Sequence, residues 1–89
     1  MNSDKKYNDQ EACQLVKKGQ YYLNLNSDDK KKDLNLAIAY FKKANEVAER
    51  WYCHEDLIRA LLERNNPGDE EEAVKINLEV FNDILKILD

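Results

Sequence analysis

The residues of this 89-residue chain best equipped for chemistry are Cys53 and His54, which stand side by side. A thiol next to an imidazole is the raw material of nucleophilic catalysis or of a metal site. Adjacent residues on a helix point about 100° apart, however, so this pair is not brought together productively. A zinc centre needs about four ligands, and besides carboxylates the chain offers only Cys13, Cys53 and His54. Serine occurs as Ser3 and Ser27 alone, which leaves no triad to assemble, and the isolated Gly19 and Gly68 cannot form a phosphate-cradling loop. The expectation is a protein that is not an enzyme and that uses no cofactor and no metal. Cys53 is then a small core or boundary residue, and His54 a boundary residue.

The charge pattern excludes further classes. The formal net charge is -4, and nucleic-acid affinity rests on clustered Lys and Arg neutralising phosphates. The one basic run, Lys30-Lys31-Lys32, is flanked by Asp28, Asp29 and Asp33 and reads as a locally neutralised, solvated segment. No nucleic-acid partner is expected. The longest apolar runs are a few residues, against the ~20 needed to cross a bilayer, and the first residues lack the apolar stretch of a secretory leader. No membrane partner is expected, and the reading is a cytoplasmic protein with reduced thiols.

The elements that carry these residues are helical. Glycine occurs twice and proline once, a composition that suits helices. Residues 1–8 are polar and without periodicity and read as a flexible N-terminal arm, leaving 9–89 as a single domain. Ala12, Leu15, Val16, Tyr22, Leu23 and Leu25 recur at helical spacing over about 9–26. Asn26-Ser27-Asp28-Asp29 and the lysines that follow predict a turn. A second helix over 33–49 carries Leu34, Ala37, Ile38, Phe41, Ala44 and Ala48, with Asp33 as its expected N-cap. No glycine or proline separates it from the third, which bears Trp51, Leu57, Ile58, Leu61 and Leu62, so one long bent helix is the alternative. Asn65-Asn66-Pro67-Gly68 is the clearest punctuation. Beyond it Asp69 is expected to cap a fourth helix, whose first turn gathers Glu70, Glu71 and Glu72 where the macrodipole favours them.

The fourth helix is too apolar for a single neighbour. At ~100° per residue its aliphatic and aromatic side chains, from Ala73 to Leu88, cover roughly 200°, about twice what a surface helix requires. Either it lies across both hairpins or its outer edge awaits another chain. Asn77 falls inside the stripe and would need a hydrogen-bond partner if buried.

One weak internal repeat is present: Ala37-Ile38-x-Tyr40-Phe41-x-Lys43-Ala44-x-Glu46-Val47 is echoed by Ala73-Val74-x-Ile76-x-x-x-Val80. The offset is about 36 residues, near the ~34 of tetratricopeptide (TPR) repeats. The first segment resembles the second helix of a TPR unit, and Gly19 with Tyr22 resembles the small residue and tyrosine of its first helix. Gly68-Asp69-x-x-Glu72-Ala73 looks like the turn and second helix of another unit. The resemblance covers most of residues 11–89. Extra residues around Ser27 to Lys32, Lys18 at an apolar position and Arg64 at a tyrosine position depart from it. A MIT-like three-helix domain, which shares the small-aliphatic-x-aromatic helix, is the competing resemblance.

The TPR resemblance implies an all-α fold of about four antiparallel helices, paired as two helical hairpins. It implies a protein-protein interaction module that binds a peptide or helix of a partner along the face of its first helices. Carried onto this sequence, that face includes Cys13, Val16, Gln20, Leu23 and Asn24, then Glu55, Ile58, Leu62, Asn65 and Asn66. Val16 and Gln20 replace the Lys and Asn with which some members clamp a terminal carboxylate, so no such clamp is expected. Trp51 and Tyr52, at the junction of the second and third helices, are further candidate contact anchors, since such aromatics dominate interface hot spots. The alternative is an obligate homodimer, or a small regulatory or immunity-type subunit, assembling through the fourth helix.

Overall fold

A computed structural model describes the backbone of residues 2–88 and the side chains of residues 9–88. The chain forms four helices, α1 (Asn2–Asn24), α2 (Lys30–Ala48), α3 (His54–Arg64) and α4 (Asp69–Leu88), and no strand occurs among the described residues. The backbone of 2–8 continues α1. The segment expected as an arm separate from the first helix is thus helical in its backbone over 2–8, and the side chains of residues 1–8 lie outside the described residues. Each helix packs on the next, α1 on α2, α2 on α3 and α3 on α4, as short connections between helices demand. The fold is all-α and arranged as successive helical hairpins.

Close approach of α1 and α2 depends on a missing side chain. A Cβ on Gly19 would lie 2.5 Å from the Phe41 ring, and Phe41 itself is fully buried. Ala12, Ala37 and Ala44 are also fully buried, so small residues let the helix axes draw together around Leu23, Leu34 and Ile38. Tyr22 and Tyr40 stack beside this core with ring centroids 5.8 Å apart. The core continues through Ala48, Cys53, Leu57, Ala60 and Leu61 and reaches α4 at Ala73 and Ile76.

The turns differ from the sequence reading in ways that have local causes. Asp29, not Asp33, is the N-cap of α2, its carboxylate accepting from the Lys32 backbone N–H at 3.1 Å. The three lysines therefore lie in the first helical turn rather than in a loop. Lys30 compensates by swinging back, its Nζ donating to the carbonyls of Leu23 and Leu25 at 2.6 and 3.0 Å, so a cation neutralises the carbonyl end of α1. Asp33 is buried and accepts a hydrogen bond from the Ser27 hydroxyl, which fastens the loop to α2.

Helices α2 and α3 are separate, and Asn45 separates them. Its Oδ1 accepts from the backbone N–H of Tyr52 at 2.7 Å and of Cys53 at 3.1 Å, while Glu49 takes a left-handed conformation with φ 56°. An ordinary asparagine thus does the work usually left to glycine or proline. At the next turn Asn65 adopts the left-handed C-cap and Gly68 has φ +90°. Asp69, expected as a cap, turns back instead: it accepts from the Asn66 N–H at 2.9 Å and from two nitrogens of Arg64 at 2.8 and 2.6 Å. Bidentate pairing to a planar guanidinium locks the α3–α4 angle. It also holds the Asp69 carboxyl down at about 2, with the Arg64 hydrogen bonds the leading cause.

Candidate functional site

The thiol beside His54 is a core group. Cys53 is buried at the start of α3 and its Sγ donates to the Phe41 carbonyl at 3.4 Å. Burial pushes its pKa up to about 12, reinforced by the nearby Asp56, and a thiol so held is a poor nucleophile at neutral pH. Among the described residues no three His, Cys, Asp or Glu side chains converge as a metal site would require.

The residues expected to line a partner groove are dispersed. Leu23 is only 2 % exposed; it belongs to the core, not to a binding face, because the α1–α2 contact closes over it. Val16, Trp51, Tyr52 and Ile58 are half-buried, whereas Gln20, Glu55 and Asn65 are exposed. Leu62 is exposed as well. Gln20 donates to Asp56 at 3.1 Å, tying α1 to α3. Asn65 is engaged as the α3 C-cap through its backbone. Tyr52 lies 5.4 Å under the Arg50 guanidinium, which also pairs with Asp9 at 3.0 Å, so that aromatic is part of a clasp between α1 and the α2–α3 junction.

Two shallow concavities share Trp51, one of the expected contact anchors. One, of about 480 Å³, runs between Trp51 and the Glu71, Glu72, Lys75, Ile76 and Glu79 side of α4. The other, of about 390 Å³, continues past Asn45, Glu46, Glu49 and Arg50 to Asp83. A Lys42–Glu72 ion pair at 3.1 Å bridges α2 to α4 across this flank. Both hollows are lined mainly by charged groups, and neither is enclosed enough to strip a small ligand of its water.

The most unusual surface is the rest of α4. Only Asp69, Ala73 and Ile76 of that helix are buried, and Val80 packs partly against the core. Val74, Leu78, Phe81, Ile84, Leu85, Ile87 and Leu88 are all exposed, Phe81 at 57 % and Ile87 at 83 %. The reason is geometric. At 1.5 Å per residue, the 11 residues of α3 reach about 16 Å while the 20 of α4 reach about 30 Å, so the second half of α4 outruns the helix it packs on. Asn77, which would have needed a partner if buried, is exposed to water.

Comparison with protein-family models, curated proteins and solved structures finds no match. No helix among the described residues is long and apolar enough to cross a membrane.

Proposed function

We propose that this chain is a protein-interaction module that docks a helix of another polypeptide on the outer face of α4. The observation that carries the reading is the row of exposed aliphatic and aromatic side chains from Val74 to Leu88. Water-exposed apolar area of this extent marks binding surfaces in stable proteins, and an amphipathic helix laid on an apolar face is a recurrent recognition mode. The TPR-like small-residue pattern around Gly19, Ala37, Ala44 and Ala73 supports the same class of role, since such repeats serve to hold binding surfaces. Those positions are buried at the helix contacts, and α4 carries most of the large apolar side chains left exposed among the described residues.

The test uses a fluorescent synthetic helix with leucine at the apolar positions of two heptads. Its anisotropy should rise on titration with the chain, and Phe81→Asp should weaken binding at least about tenfold with helicity unchanged, while Phe81→Leu keeps it. A titration that stays flat up to about 100 µM, with the chain present as single molecules, would sink the proposal.

A further inference from the structure

Resting on that reading of α4, we infer that the occupant of its outer face is the same face of a second copy of this chain, laid parallel to it. The spacing is the first argument. Val74, Leu78, Phe81, Leu85 and Leu88 follow one another in steps of four, three, four and three, and all five are exposed. That is the a/d seam of a heptad repeat, the pattern by which one helix accepts the knobs of another along a shared axis. At ~100° per residue the seam spans roughly 80° and is centred well over 100° from the direction of buried Ala73 and Ile76. It is a second apolar face, distinct from the one that packs on α3.

The flanks say what kind of helix belongs there. With Leu78 and Leu85 at a and Phe81 at d, Glu70 and Asn77 occupy g positions while Lys75 and Asn82 occupy e positions. In a parallel pair, each g residue faces the e residue five places further along the partner helix. Glu70 then meets the partner's Lys75, and Asn77 meets the partner's Asn82, each contact occurring twice by symmetry. Opposite charges and paired amides thus face one another when the chain pairs with itself in this direction. An antiparallel copy would set Asn77 near Ile84 instead. The four flanking residues are exposed, so each is open to a partner at the seam. This also gives Asn77, an oddity within an apolar stripe, a use.

Length and size agree. The seam runs from Val74 to Leu88, about 22 Å of helix, and its five apolar side chains are all open to water. The two-fold contact is isologous, so a single self-complementary patch suffices and the assembly closes at two. A domain of this size also gains most from burial across copies.

Sedimentation equilibrium of the full chain across low to high micromolar concentrations tests the inference. The expected result is the mass of two chains, with Phe81→Asp and, independently, Leu78→Asp each weakening self-association roughly a hundredfold without loss of circular-dichroism helicity. Lys75→Glu should weaken the pair several-fold and Glu70→Lys in the same chain should restore it. A single-chain mass at about 100 µM overturns the inference, as does a dimer indifferent to Phe81→Asp, and a charge swap without rescue overturns the parallel pairing. A single-chain protein that still takes up the leucine-heptad helix removes the second copy and leaves the interaction reading standing. One that does neither removes both.

Discussion

The chain's two phenylalanines sit in opposite environments. Phe41 is fully buried between α1 and α2, hard against Gly19, whereas Phe81 stands on α4 with more than half its surface open. The same side chain is a structural centre in one hairpin and an unspent contact in the other. What separates them is the length of the neighbouring helix: α2 runs alongside α1 for most of its course, but α3 ends while α4 continues. Buried packing is therefore concentrated in the first hairpin, and exposed apolar surface at the end of the last helix.

That contrast can be broken by mutation. Phe41→Ala should cost about 3–5 kcal/mol, because it removes a fully buried ring and leaves a cavity that close-packed alanines cannot fill; urea unfolding that shows under 1 kcal/mol would contradict the packing described. Acid should act next. Asp69 is held at about 2, below its ordinary 3.8, so it adds stability that is complete above about pH 4 and disappears as the pH falls through 2. Allowing for solvent screening, the contribution is about 1–2 kcal/mol, and Asp69→Asn should flatten the corresponding part of a stability-against-pH curve.

Smaller effects sharpen the comparison. Gly19→Ala adds helix propensity worth about 1 kcal/mol, yet its methyl meets an immobile ring, and overpacking costs about 1–3 kcal/mol. The expected net is a loss of about 1 kcal/mol in thermal unfolding, where a bare gain would show that the helices can part. Phe81→Ser should change the stability of the single chain by no more than about 0.5 kcal/mol. Measured by denaturant unfolding of dilute protein, a larger loss would mean that this ring is already packed within its own chain.

Much of the first hairpin was legible in the residues. Helical spacing of Leu34, Ala37, Ile38, Phe41 and Ala44 marked the buried face of α2, and Pro67-Gly68 marked the α3–α4 turn. Local signals of this kind are strong because backbone geometry and side-chain periodicity act over a few residues. The α2–α3 break was not legible, since an asparagine at position 45 becomes a stop signal only when the chain folds back to place Tyr52 and Cys53 on its carbonyl oxygen. Asp33 and Asp69 looked like caps by position, but each found a stronger partner, Ser27 or Arg64, once the turns closed. The TPR resemblance puts Leu23 on a groove face, but a family pattern does not say which neighbour covers a residue, and here α2 does.

The sequence by itself determined that the chain is helical, how the apolar faces are spaced along it, and that α4 carries more apolar circumference than one neighbour can cover. These follow from dihedral preference and helical pitch, which need no long-range information. Only the tertiary structure decided which part of that circumference stays open. The answer depends on how far α3 extends along α4 and on the angle set by the Arg64–Asp69 pair, both of them relations between residues that meet only after folding.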